Sequence, residues 1–504
     1  MPETNDRREQ RLEKLGRLHE LGIDPYPPRA EHSHTVAQAL AAFDANASQP
    51  TQVTVVGRLV SLRVMGGSTF CHIADGTGRI QLYLRRDAVG QEDYENFRRL
   101  IDLGDHVWAT GTLFQTRSGE ITVNTSAWRM LSKALRPLPD KWHGLRDVEM
   151  RYRQRYLDLI ANPTARDIFI TRSKIVSAIR RTLDGWGFME VETPVLQPIY
   201  GGAAARPFTT HHNALDQTFY LRIADELYLK RLIVGGLDRV YEIGHNFRNE
   251  GISTHHNPEF TVVELYQAYA DYEVIMRLVE TLYSTVARTV LGTETLSYQG
   301  QEIQLTPPWR RVTMRDAILE ASGIDIELVR TLPELCTAAE SRGLSLASQP
   351  NWGKAVEKLF ELTVEPSLVQ PTFVIDYPVD ISPLAKKKPG APHLVERFEF
   401  FIGGLECGNA FTELNDPIDQ RERFAAQVAA GAQGDSEAHP MDEDYIAAME
   451  HGMPPTGGLG FGIDRMVMLY TDQVSIREVI LFPALRDRGG DWQEAEDSPQ
   501  EPRS

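Results

Sequence analysis

The chain has 504 residues, 42% of them hydrophobic and 24% charged, an ordinary globular composition with length for two or three domains. Its formal charge of −17 argues against indiscriminate polyanion binding, yet residues 1–150 carry 19 Lys and Arg against 19 Asp and Glu, so the acidic excess lies beyond them. With no apolar run approaching ~18 residues, a polar and charged start, and three scattered cysteines (Cys71, Cys336, Cys407) lacking metal-ligand spacing, a soluble, cytoplasmic protein in a reducing compartment is expected.

Leu12, Leu15 and Leu18, spaced by threes among Arg8, Arg11, Lys14 and Arg17, predict a helix over residues 7–21 that Pro25, Pro27 and Pro28 stop. It belongs to a helical extension, residues 1–50, and a solvated capping helix is its plainest reading. Alternating runs at 52–62, 69–75, 79–85, 105–115 and 120–124, with turn residues between and a helix at about 93–101, have the layout of a small OB-type β-barrel over residues 51–135. The period of two turns Cys71, Ile73, Ile80, Leu82 and Leu84 inward, leaving Phe70, His72, Gln81, Tyr83 and Arg85 outward. Rings interleaved with an amide and a guanidinium suit single-stranded nucleic acid, since rings stack on bases, amides read edges and guanidinium meets phosphate. Aromatic side chains packed under a loop are the alternative.

Prolines within Lys133-Ala-Leu-Arg-Pro-Leu-Pro-Asp140 mark a linker, placed over residues 136–150, before a second domain over 151–484. Ile168, Ile175, Ile179, Leu183 and Trp186 form one helical stripe, closed by Gly185-Trp-Gly187. A strand over 188–194, ending at Pro194, follows. Gly201 and Gly202 permit close backbone approach. Glu226, at the start of a helix over 227–234, is by itself an acid favoured by the helix dipole.

Val240-Tyr-Glu-Ile-Gly-His-Asn-Phe-Arg-Asn-Glu250 and the run through His256, Phe260, Glu264 and Tyr266 read as two strands joined by a loop at Gly251. Alternation puts Arg248 with Glu250 on one face, and Phe260, Val262, Glu264 and Tyr266 on one face of the return strand. Such a surface offers partners to a polyphosphate, a flat base and an ammonium together. A helical insertion at about 331–369 follows, then Lys386-Lys-Lys-Pro-Gly390 as a mobile loop. Across a turn at Gly403-Gly404, Glu399 and Glu406 lie diagonally on one face, roughly 7–8 Å apart, placed to hold Mg²⁺ with nucleotide phosphates. Strict alternation sends Asn409, Phe411 and Glu413 to the other face, so a bulge at Gly408 is expected. Gly457-Gly-Leu-Gly-Phe-Gly-Ile-Asp-Arg465 enters an apolar helix with Arg465 in its first turn, matching neither the Walker nor the dinucleotide pattern. Residues 485–504, rich in Asp, Glu, Gly and Pro, read as a disordered tail.

Phe247-Arg-Asn-Glu250 with Asn257-Pro-Glu-Phe260, the helix and strand ending in Pro194, and the glycine run into Arg465 resemble motifs 2, 1 and 3 of the class II aminoacyl-tRNA synthetases. The longer match from Gly201-Gly-Ala-Ala-Ala-Arg-Pro-Phe208 to Glu264-Leu-Tyr266 is similar to the lysyl branch, and the resemblance runs from about Lys14 to Pro483. It implies an α+β protein: an OB-fold barrel plus a class II antiparallel sheet flanked by helices. It also implies a homodimer through motif 1, a leading helix that helps hold tRNA, and anticodon reading by Phe70, Gln81 and Glu120. The implied reaction activates L-lysine with ATP and transfers it to tRNA(Lys). Arg248 and Arg465 would be catalytic; Glu250, His256, Phe260 and Glu399 would join them on ATP, with Phe260 and Arg465 sandwiching the adenine. The amino acid would be held by Gly202, Glu226, Glu264, Tyr266, Asn409, Phe411 and Glu413, and Mg²⁺ by Glu399 and Glu406. Gly244-His245 and His255 depart from the branch pattern and stay outside the phosphate set. The alternatives are an aspartyl or asparaginyl synthetase, which should place a cation where Glu413 stands, a lysine ligase acting on a protein, and a catalytically silent RNA binder.

Overall fold

The computed structural model describes residues 2–138, 145, 147–346, 349–432 and 440–486; most of the expected tail lies outside the described residues. The chain divides into two compact units, the first within residues 1–146 and the second over 147–486.

In the first unit, strands Gln52–Met65, Ser68–Ala74, Arg79–Arg85, His106–Gln115 and Ile121–Ser132 close into a barrel. The foreseen inward set, Cys71, Ile73, Ile80, Leu82 and Leu84, is buried in its core. The last strand runs well past the expected end at 124, because residues up to Ser132 pair with His106–Gln115. The leading helix, Pro2–Glu20, is fastened to the same unit by its basic residues: Arg11 donates to the Leu103, Ala134 and Arg136 carbonyls, and Lys14 pairs with Asp102 at 2.6 Å.

The second unit is built on a nine-stranded sheet. Its order is Arg310–Thr313, Thr372–Pro378, Ala391–Ile402, Leu405–Thr412, Thr456–Gly462, Glu259–Ala268, Arg239–Phe247 and Met189–Glu190, with Lys387–Lys388 alongside Ala391–Ile402. Neighbours are antiparallel except at the two ends, where Arg310–Thr313 and Met189–Glu190 run parallel to theirs. One face packs on helices Pro163–Gly185, Tyr272–Leu291 and Ile463–Tyr470 around a common apolar core. The expected insertion is helical, with Leu332–Glu340 and Trp352–Thr363 sharing a separate core with helix Met314–Ser322.

Three expectations give way. The strand after the long helix is only Met189–Glu190, because beyond Val191 the chain turns to Glu242, whose carboxylate accepts from Thr193 N and Oγ1. Lys387–Lys388 forms a short strand instead of a loose loop. Its neighbourhood is tied down by Lys386 Nζ to Asn415, Lys387 Nζ to Asp419 and Lys388 Nζ to Asp376. The outgoing motif 2 strand stops at Phe247, so Arg248 and Glu250 sit just beyond it, with Arg248 N bonded to the Pro258 carbonyl.

Candidate active site

Alternation divides the sheet chemically. Val263, Leu265, Phe398, Phe400, Ala410, Leu459 and Phe461 enter the apolar core. Their neighbours Val262, Glu264, Tyr266, Glu399, Asn409, Phe411, Gly458 and Gly460 line a cavity of about 460 Å³ on the other face. Strand register sets them in rows. Glu264 opposes Gly460, Gly460 opposes Asn409, and Asn409 opposes Glu399; two residues along, Tyr266, Gly458, Phe411 and Arg397 form the next row. Every residue expected in the nucleotide, amino-acid and metal sets lines this one cavity.

The acidic hairpin does contain the expected irregularity, one residue earlier than anticipated. Phe401 opposes Glu406 and Phe400 opposes Gly408, which leaves Cys407 as the extra residue. That shift brings Asn409 and Phe411 onto the face of Glu399. Gly408 contributes by closeness of packing: a Cβ there would stand 2.5 Å from the Gly460 carbonyl oxygen.

At the end of the cavity expected to take the nucleotide, the Arg248 guanidinium lies 5.2 Å above the Phe260 ring. Arg465 donates to the Glu406 carbonyl oxygen and approaches its carboxylate at 3.2 Å. Thus Arg248, and not Arg465, occupies the ring face assigned to the adenine sandwich. Burial lowers the His256 imidazole pKa, with Arg465 adding to it, and its Nδ1 contacts Ser253 Oγ at 3.0 Å. Glu399 accepts from Tyr377 Oη at 2.8 Å and Arg397 at 2.6 Å; burial, opposed by Arg397 and aided by Glu406, pushes its carboxyl up to about 7.

At the other end Glu226, Glu264 and Glu413 converge, all buried. Burial raises Glu264 well above the carboxylate range, and Asp225 adds to it; Asn246 Nδ2 donates to Asp225 at 3.3 Å and to Glu264 at 3.4 Å. Burial pushes Glu413 up to about 8, with Lys230 pulling it down. Lys230 itself, fully buried, ion-pairs with both Glu226 and Glu413. Gly202 adopts φ +87°, and a Cβ there would come 2.9 Å from Ala224 Cβ, so the loop can lie against the start of helix Glu226–Val234.

Sequence reasoning passed over Lys230, Arg397, Tyr377, Asn246 and Asp225. Two carried a usable signal. Lys230 follows Glu226 by four residues on a helix, and Arg397 precedes Glu399 by two on a strand, so each shares a face with a foreseen acid. Gly244, left aside as a departure, has a structural cause: a Cβ there would lie 2.0 Å from Arg222 Nη2, whose guanidinium pairs with buried Glu242 at 2.5 Å.

On the barrel, Phe70 stacks on Tyr83 with centroids 4.4 Å apart. Glu120 accepts from Gln81 at 2.8 Å and contacts His72 Nε2 at 2.7 Å, while Thr122 donates to the Gln81 carbonyl oxygen. Gln81 is thus only 9% exposed instead of freely outward, because Glu120 and Thr122 hold both ends of its amide.

The family described as tRNA synthetases class II (D, K and N) matches residues 147–486, and an OB-fold nucleic acid binding domain matches 53–131. The chain belongs to the class II tRNA synthetases. Lysine–tRNA ligases of Chloroflexus aurantiacus and Roseiflexus castenholzii are each 57% identical over 487 residues, 96% of this chain and 99% and 100% of theirs. That of Pelotomaculum thermopropionicum is 57% identical over 488 residues, 96% of each chain. Within the class, the chain belongs to the lysine–tRNA ligase family.

Proposed function

We propose that the chain joins L-lysine to ATP as lysyl-adenylate, releasing pyrophosphate, and then transfers the lysyl group to the 3′ end of tRNA(Lys). The observation that carries this reading is the gradient along strand Glu259–Ala268. From Phe260 to Tyr266, about 20 Å at strand rise, the cavity passes from Arg248, Arg465 and the Phe260 ring to Glu226, Glu264 and Glu413. A lysine with its adenylate needs that order of partners.

The lysine carboxylate attacks the α-phosphorus and the bond to the β-phosphate breaks, so no side chain serves as nucleophile. Catalysis is positioning and charge neutralisation. Arg248 bridges carboxylate and α-phosphate, His256 and Arg465 meet the β- and γ-phosphates, and Glu250 reads the adenine edge. Adenine stacks on Phe260 with Arg465 on its far side, which draws Arg248 off the ring toward the reacting carboxylate. Glu226, Glu264 and the Gly202 carbonyl take the α-ammonium; Glu413 with Tyr266 takes the ε-ammonium, beside Asn409 and Phe411. An aspartate or asparagine side chain would meet carboxyl groups there, and the nearby cations are already engaged, Lys230 with Glu226 and Glu413 and Arg397 with Glu399.

Glu399 and Glu406 fit a hard divalent cation: both line the cavity, and Glu406 is among the charges that raise Glu399. Glu399 and Glu406 would hold such an ion together with oxygens of the nucleotide phosphates. Mg²⁺ bound there supplies neutralisation of the triphosphate. Exposed Ile170, Met189, Val195, Leu196 and Ile199, on or after the motif 1 helix, support a homodimer through that face. Three free cysteines, two of them buried, suit a cytoplasmic setting, and no described helix is long and apolar enough to cross a membrane. Phe70 faces the anticodon, with Glu120 and the Gln81 it holds beside it, an arrangement that a ligase acting on a protein would not need. The decisive experiment is lysine-dependent ATP–pyrophosphate exchange, with aspartate, asparagine and ornithine as controls; absence of exchange with lysine rejects the reading.

A further inference from the structure

Helix Glu226–Val234 turns two buried side chains toward the acidic end of the cavity: Glu226 and, one turn later, Lys230. Lysine is among the side chains least often fully buried, and this one stands behind Glu226 and Glu413, which line the cavity, without lining it itself. Its Nζ is in ion-pair contact with Glu226 Oε1 and Glu413 Oε2, and lies 5.8 Å from the centre of the Tyr266 ring. Neither Glu413 oxygen has a hydrogen-bond partner among the described residues: Oε2 is held by the Lys230 ion pair alone, and Oε1 lies over Gly458, where a Cβ would stand 1.9 Å from it.

We propose that Lys230 is a positioning residue that sets amino-acid specificity: by tying Glu226 to Glu413 it fixes the distance between the carboxylate that takes the α-ammonium and the one that takes the side-chain ammonium. The inference rests on the lysine reading above. A free glutamate side chain can rotate to follow an ammonium one methylene nearer, and so adds nothing of its own to the selection of lysine over ornithine. A glutamate with one oxygen held by Lys230 cannot follow. It offers Oε1 at a single place, and a shorter substrate then leaves both the oxygen and its own ammonium unpaired in a buried site. The tether thereby adds to the modest discrimination, about 10–200-fold, that one methylene gives by itself.

The test is ATP–pyrophosphate exchange by the full chain carrying Lys230→Met, with lysine and ornithine as substrates. The expected result is a fall of about tenfold or more in the lysine-to-ornithine ratio of kcat/KM, carried by a higher KM for lysine, with KM for ATP within about twofold of the parent. A ratio within about twofold of the parent overturns the proposal, whether or not the melting temperature drops, because a purely structural lysine moves stability without moving selectivity. Should that variant fail to fold, Lys230→Arg carries the test: its planar head spaces the two carboxylates differently, so an unchanged ratio overturns the proposal there too. Failure of the parent itself to exchange with lysine is a separate result, and it removes the underlying reading.

Discussion

Gly458 shows how closely a single residue can be tied to a substrate. Its missing side chain is the space that Glu413 and Tyr266 use: a Cβ would stand 1.9 Å from Glu413 Oε1 and 2.5 Å from Tyr266 Cε1. Gly458→Ala should therefore displace the proposed ε-ammonium partners, raising KM for lysine on the order of 100-fold while leaving KM for ATP nearly unchanged; steady-state exchange kinetics in each substrate check it. The same end of the pocket sets a pH dependence. Burial holds the Glu413 carboxyl up at about 8, Glu226 adds to this, and Lys230 opposes it. A carboxyl so raised gains charge as pH rises, and its ionised form pairs the more strongly with an ammonium, that of Lys230 and that of the substrate alike. KM for lysine should fall between about pH 7 and 9 and then level off, a trend that Glu413→Gln should abolish. At this scale, the residues legible in the sequence were those whose neighbours in the chain fix their face, such as Phe260, Glu264 and Tyr266. Lys230 escaped because its importance comes from Glu413, almost two hundred positions away, and no local pattern announces that meeting.

At the scale of elements, the acidic hairpin turns on one extra residue. With Cys407 unpaired, Glu399 opposes Asn409 and Arg397 opposes Phe411, so residues proposed for the nucleotide and residues proposed for lysine share a face. The conflict between strict alternation and a common site was visible in the sequence and demanded a bulge. Its place, Cys407 instead of Gly408, depended on which peptide meets strand Thr456–Gly462, a non-local matter. Gly408 is what lets that strand approach. A Cβ at 408 would meet the Gly460 carbonyl oxygen at 2.5 Å, the Phe400 ring at 2.6 Å and Phe461 Cβ at 2.7 Å. All three are backbone or buried core atoms that cannot swing away. Gly408→Ala should cost about 1–3 kcal/mol or more through overpacking, read as a lower urea midpoint with an unchanged slope. By the same logic the short strand Met189–Glu190 was overestimated, since Thr193 leaves the ladder for the Glu242 carboxylate, and no propensity encodes that choice.

The molecule as a whole separates two tasks between two compact units, and both were legible because each rests on periodicity sustained over many residues: five alternating runs in one, strands and long helices around glycine-marked loops in the other. Helices Pro417–Ala432 and Glu443–Glu450 were not foreseen; the first ends among small residues with a weak apolar stripe, and the second is short. Charge follows the same division, with the first 150 residues balanced and the acidic excess in the remainder. The separation makes a prediction about which reaction each unit governs. On the barrel, Phe70 and Tyr83 form a stacked pair beside the Gln81–Glu120–His72 network, which braces the ring proposed to take a base. Base–aromatic stacking is worth about 1–3 kcal/mol per base, equivalent to roughly 5–150-fold in an equilibrium constant. Phe70→Ala should then raise KM for tRNA(Lys) in aminoacylation by a factor in that range and leave lysine-dependent ATP–pyrophosphate exchange, which involves no tRNA, at the parent rate. Equal losses in both assays would mean that Phe70 supports the fold and not the reading of RNA, and would take the anticodon assignment away from that face of the barrel.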